Sequence, residues 1–193
     1  MSVDLALLGQ PLRDHEWSGG LVDLEVLAEA HREPMRAICP PDDPVWPIYP
    51  VDLSGAGFDP YFDSLLVDPA RRAFAILRDG RMAGTTSFLN IAPARQTLEL
   101  GGTFMALEER GSGLNSRVKP LVLARAFAAG FRRVEFRIDQ RNERSQAAVR
   151  KLGAVQEGVL RAERVTWTGH VRDTVMFSIL AEEWGAERDN LRH

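Results

Sequence analysis

The segment from Thr97 to Ala129 constrains the fold of this chain more than any other. Thr97 to Met105 reads as a strand, Arg110-Gly111-Ser112-Gly113 as a tight turn, and Gly113 to Ala129 as a helix. Leu114, Val118, Leu121, Val122, Ala126 and Phe127 share one side of that helix, which marks a buried face, and Gly130 supplies a left-handed stop. A helix that starts directly after a strand leaves its first N–H groups without partners, and its dipole favours an anion there. Glycines let such a backbone approach a phosphate without a Cβ in the way. A phosphate site and an ordinary tight turn both satisfy the pattern. Familiar phosphate loops do not: Gly113 is followed by Leu114 and Asn115 rather than Lys-Ser/Thr, and the third glycine of a dinucleotide fingerprint is missing.

The flanking sequence predicts a sheet around this unit. Ala73 to Leu77, the turn Arg78-Asp79-Gly80 and Met82 to Ile91 form a hairpin, and Pro93 to Gln96 turns the chain into the next strand. Val134 to Ile138 alternates Val134, Phe136 and Ile138 inward. Asn142 to Leu152 reads as a helix stopped by Gly153, and strands near Val155–Trp167 and Val171–Leu180 meet at Thr168-Gly169-His170. This β-β-β-α-β-α-β-β order implies an α/β, mixed α+β sheet with helices packed on it. Upstream, Leu21 to Arg32 is expected to be an amphipathic helix and Phe58 to Leu66 a second short one. The proline-dense stretch Pro34 to Pro50 between them reads as an ordered loop or lid.

Composition narrows the function. A chain of 193 residues, 45% hydrophobic, fits one domain with a sizeable core. Its 24 basic and 27 acidic residues leave −3, without the basic excess that nucleic-acid binding uses. No apolar run is long enough to span a bilayer and the start lacks a basic leader, so a cytoplasmic protein without nucleic-acid or membrane partners is expected. The lone Cys39 excludes an internal disulfide and reads as a structural thiol; no metal is expected.

Five stretches, in order, resemble the GNAT N-acetyltransferase superfamily, in particular its RimJ/RimL-like branch, which acetylates protein N-terminal amines. Arg110-Gly111-Ser112-Gly113-Leu114-Asn115 resembles the phosphate motif Arg/Gln-x-x-Gly-x-Gly/Ala, with Asn115 in place of the small sixth residue. Glu99-Leu100-Gly101-Gly102-Thr103 is similar to the strand before it. Asn142-Glu143-Arg144-Ser145 with Lys151-Leu152-Gly153-Ala154, then Glu157-Gly158-Val159-Leu160-Arg161, then Gly169 to Thr174 resemble the helix and closing strands. The resemblance implies an acyl-CoA N-acyltransferase fold with a splayed central sheet flanked by helices. Residues 1–193 would form one acetyltransferase domain: a helical, proline-rich acceptor side at 1–70, sheet and donor region at 71–184, and a tail at 185–193.

It also implies acetyl-CoA as cosubstrate and an amine acceptor: a peptide N-terminus or, alternatively, a small amine. A catalytically weak CoA-binding module is a third reading, and pairing of two copies through their sheets is left open. Amides of Gly111, Ser112, Gly113, Leu114, Asn115 and Ser116 would hold the pyrophosphate, with Arg110 or Arg117 adding charge. Phe104, Met105 and Ala106 would pair with the pantetheine arm. Asn142 would either reach the coenzyme or cap its helix. The tyrosine acid of many relatives is replaced here by Val149, which leaves Ser145 as the substitute proton donor or as a helix residue. Glu99 and Glu163 compete as general base, each also readable as a plain strand charge. Trp17, Trp46, Tyr49 and Phe62 would line an acceptor pocket or form core, and Asp42, Asp43 and Asp52 would draw a cationic amine or sit in solvent. His170 is expected to face solvent.

Overall fold

The computed structural model describes residues 2–184, so the tail expected at 185–193 lies outside the described residues. The strands are β1 (Leu12–Asp14), β2 (Val22–Val26), β3 (Arg72–Arg78), β4 (Arg81–Ala92), β5 (Thr97–Met105), β6 (Arg133–Asp139), β7 (Val155–Val165) and β8 (Val171–Leu180). They form one sheet in the order β1-β2-β3-β4-β5-β6-β8-β7. The helices are α1 (Leu5–Leu8), α2 (Arg32–Ala37), α3 (Phe58–Val67), α4 (Leu114–Ala128) and α5 (Glu143–Lys151).

The helix expected over Leu21–Arg32 is not there. Val22 and Leu24 are buried while Glu25 is exposed, a period of two, and the segment pairs antiparallel with β3 from Val22↔Arg78 to Val26↔Phe74. Helical and strand spacings both accommodate a short apolar run, and tertiary pairing decided for the strand. Helix α2 begins only at Arg32.

Two apolar clusters flank the sheet. On one face Leu98 and Leu100 of β5, Val134, Phe136 and Ile138 of β6, and Val175, Phe177 and Ile179 of β8 pack with Leu114, Val118, Val122 and Ala126 of α4. The second cluster joins Met35, Cys39, Trp46, Leu53, Phe58 and Phe62 to Ala73, Ala75 and Phe104. Trp46 and Phe62 are therefore core side chains, 3% and 0% exposed, rather than open pocket walls. Burial pushes the Cys39 thiol up to about 12, which suits a structural residue and not a nucleophile. Gly102, at φ +57°, sits where the β4–β5 register shifts. The extra residue exchanges the faces of β5, so Phe104 joins the second cluster although Leu100 belongs to the first.

The pairing of β5 with β6 positions the site. It is parallel and runs only through Thr97↔Arg133, Leu98↔Val134 and Glu99↔Glu135. Beyond Glu99, β5 continues to Met105 along β4 alone, and β6 continues to Asp139 along β8 alone. The sheet is split from that point.

Candidate active site

The turn before α4 occupies one side of the split. Gly111 and Gly113 hold φ +88° and +91°, left-handed values that a side chain would strain. Ser112 donates its amide to Glu109 (3.3 Å), and Leu114 donates to the Ser112 hydroxyl (3.2 Å). Among the described residues, the amides of Gly111, Gly113, Asn115 and Ser116 donate to no protein acceptor. A Cβ on Gly111 would meet nothing within 4 Å, so the turn faces open space. Free amides, a helix start and an unobstructed approach together fit a diphosphate.

The two arginines expected to add charge at the turn already have partners. Arg110 grips Asp43 with both terminal nitrogens and donates Nε to the Met105 carbonyl (3.0 Å). Arg117 is bound to Asp14. Arg110 ties the turn to the Asp43 loop, and Arg117 ties α4 to the end of β1. Asp43 is correspondingly no bait for an amine: its side chain is fully buried, and Arg110 holds its carboxyl below the usual range. Part of the expected β5 edge is also engaged, since Ala106 donates its amide to Ala83 (2.9 Å) and the Thr103 carbonyl accepts from Tyr49 Oη.

The proline-rich segment crosses the mouth of the split. Trp46 stacks on Phe104 of β5 (centroids 5.1 Å apart) while its carbonyl accepts from Trp167 Nε1 (3.1 Å), just past β7. The Pro47 carbonyl accepts from Arg141 (3.2 Å), just past β6. Trp17 instead stands by the glycine turn, its Cζ2 3.6 Å from where a Gly113 Cβ would lie.

Opposite the α4 face, the split opens on a polar layer. Glu99 is 8% exposed, accepts from Asn90 Nδ2 (2.7 Å) and lies 3.9 Å from Arg137 Nε. Burial raises its pKa, against the pull of Arg137 and Asn90. Glu163 accepts from Arg164 (2.7 and 3.0 Å), Arg137 (3.4 Å) and Thr174 Oγ1 (3.2 Å), and chiefly Arg164 lowers its pKa. The two carboxylates thus share Arg137 but differ in kind, since burial raises the pKa of Glu99 and Arg164 lowers that of Glu163.

Asn142 caps α5, its Oδ1 accepting from the Ser145 amide (3.0 Å). The Ser145 side chain is half-buried, and its hydroxyl has no partner among the described residues. His170 is exposed. Three notable groups escaped sequence reasoning. Arg137 and Arg172 belong to alternating strands whose facing partners were unknown. Lys119 lies on the α4 face toward β5, where its Nζ donates to Thr103 Oγ1 (2.6 Å) and burial lowers its pKa to about 7. The charge of Lys119 amid apolar neighbours was the available signal.

A mixed sheet split at its one parallel pair, with a glycine turn and helix start at the split, defines an acyl-CoA-dependent transferase. Residues 22–155 match the family model described as the acetyltransferase (GNAT) domain, and the chain belongs to that family of acetyl-CoA-dependent N-acetyltransferases. Among solved structures, a T. thermophilus protein described as an acetyltransferase is 37% identical, with TM-score 0.80 over 95% of this chain and 96% of that one. Mycobacterium smegmatis RimJ, in complex with CoA-disulfide, shares the fold at 22% identity and TM-score 0.76, over 90% and 87% of the two chains. So does a Vibrio cholerae spermidine N-acetyltransferase in complex with CoA and spermine, at 16% identity and TM-score 0.71 over 84% and 97%. Curated proteins give no match. Among the described residues no helix is long and apolar enough to cross a membrane.

Proposed function

We propose that this chain is a RimJ/RimL-like enzyme that acetylates the α-amine of a protein or peptide, with Glu99 as general base. The buried carboxyl of Glu99, with its raised pKa at the last paired position before the split, carries the reading. Acetyl-CoA supplies the activated acetyl group. The free amides of the 111–116 turn hold its diphosphate, and the open part of β5 around Phe104 and Met105 flanks its arm.

Glu99 accepts the proton that the attacking amine must lose, directly or through one water. Glu163, already anionic and saturated, orients Arg137 beside it. In this reading the free hydroxyl of Ser145 hydrogen-bonds the departing sulfur. A thiolate leaves readily, so a weak donor suffices where Val149 replaces tyrosine. The lid over Trp46–Tyr49 limits water at the split.

The test has two arms. Acetyl-CoA at a hundredfold excess over its Kd should stabilise the fold by about 2.7 kcal/mol, seen as a raised Tm. Pooled N-terminal peptides and pooled small amines, including spermidine, should then be compared by mass. Acetylation confined to the peptides supports the reading, and acetylation confined to the small amines overturns it.

A further inference from the structure

Arg172 is a buried cation with no carboxylate in contact with it among the described residues. It is 4% exposed, its one hydrogen bond is from Nη2 to the Arg137 carbonyl (3.1 Å), and its Nε is buried without a partner. Among the described residues, no carboxylate lies within ion-pair distance of it. Glu99, Glu163 and Asp139 act on it only through space, and burial lowers its pKa. An uncompensated buried charge is costly, so its retention points to an anion that the protein does not itself provide.

The location says which anion. Arg137 is two residues past Glu135, the last β6 partner of β5, so the Arg172 fork ends where the sheet has split. Arg137 stands there too, its side chain 29% exposed and its Nε likewise without a hydrogen-bond partner. Its Nη1 reaches Glu163 only at 3.4 Å, and its Nη2 has no partner among the described residues. Arg137 has Glu99 at 3.9 Å and Glu163 at 3.4 Å, while Arg164 also engages Glu163, Arg141 engages Asp139, and Arg133 binds Glu135 and Glu157 on the paired side. The diphosphate has its own cradle at the glycine turn. What remains for the unpartnered nitrogens of the two arginines is the acceptor.

We propose that Arg137 and Arg172 hold a carboxylate of the acceptor, so that the enzyme selects amines carrying an acid group close by. The inference rests on the reading of the Glu99 face as the acceptor side. Glu99 receives the amine, and the arginine pair fixes the acid next to it with charge-assisted hydrogen bonds. The carboxylate belongs either to an Asp or Glu at the second position of a peptide or to a free amino acid. Polyamines, which carry only cations, are rejected by the same charges.

The experiment compares kcat/KM for peptides that differ only at the second position, beginning Ser-Glu, Ser-Gln or Ser-Lys, with free glutamate and spermidine alongside. Ser-Glu should exceed Ser-Gln by about tenfold, the scale of one charged hydrogen bond. Arg137→Gln should shrink that ratio to about twofold or less, and Arg137→Glu should turn the preference toward Ser-Lys, a reversal that loss of fold does not produce. Arg172→Lys, which keeps the charge and loses the fork, should retain part of the ratio. Glutamate turning over faster than Ser-Glu supports the arginine pair and assigns the acid to a free amino acid. Equal rates on the acid and amide peptides, or a ratio that survives Arg137→Gln, overturn the proposal while leaving acetyl transfer intact. Failure of the transfer reading itself would look different: no acceptor acetylated and no Tm rise with acetyl-CoA, which overturns both.

Discussion

The glycine turn and the polar face of the sheet meet at one split but are made of different material. The turn offers the backbone amides of Gly111, Gly113, Asn115 and Ser116, within one six-residue stretch of the chain. The polar face offers side chains alone, Glu99, Arg137, Glu163 and Arg172, drawn from four strands and spaced far apart in the chain. A backbone site tolerates substitution wherever the glycines and the helix start survive. A side-chain site changes its chemistry with single replacements. Donor binding should therefore be sensitive to conformation, and proton transfer and acceptor choice to individual charges.

The largest expected effect lies on the polar face. Glu99→Gln should lower kcat/KM by about a thousandfold, within the range removed with a general base. Because the Glu99 pKa is raised, the wild-type rate should climb as pH rises through it and the base loses its proton. A pH–rate profile of Glu99→Gln that kept this limb would assign the base elsewhere.

Asp43→Asn should follow, costing about 3 kcal/mol by leaving Arg110 without its buried partner. The Asp43 pKa is lowered, so its stabilising share is present above the ordinary value of 3.8 and lost as pH falls through the folded one. Urea melts across the acid range should show that the variant lacks this part of the wild-type decline.

On the backbone side, Gly113→Ala places a Cβ on a left-handed residue, at about 1–2 kcal/mol. The turn should relax, with acetyl-CoA affinity falling about tenfold by calorimetry. The acceptor ratios should stay as they were, which would sharpen the separation of the two regions. A shift in acceptor preference would break it.

Lys119→Met should have the smallest effect, a gain of about 1 kcal/mol at neutral pH, because a buried cation gives way to an apolar side chain of similar length. The Lys119 pKa falls from 10.5 to about 7 on folding, so the unfolded chain binds the extra proton between those values and wild-type stability rises there with pH. Chemical denaturation from pH 7 to 10.5 should show a flatter slope in the variant.

Much of the molecule could be read from local pattern. The hairpin of β3 and β4, the strand–turn–helix unit of β5 and α4, and α5 with its Asn142 cap all follow from period, turn residues and helix stops within a few positions. Strand β2 did not, because Val22, Leu24 and Val26 suit either period until β3 pairs with them. Arg110 was legible as a turn residue but not as the partner of Asp43, which lies 67 positions away.

By itself the amino-acid order determined the glycine turn and the helix start behind it, since unpaired amides there are a consequence of neighbours along the chain. Only the folded sheet decided the rest. Glu163 has Arg164 as its chain neighbour, a pairing the sequence itself offers, whereas nothing next to Glu99 in the chain reveals its burial. Burial raises the pKa of Glu99 against the pull of Arg137 and Asn90, while Arg164 chiefly lowers that of Glu163. Desolvation depends on what the fold packs around a group, and that is measured in space rather than along the chain.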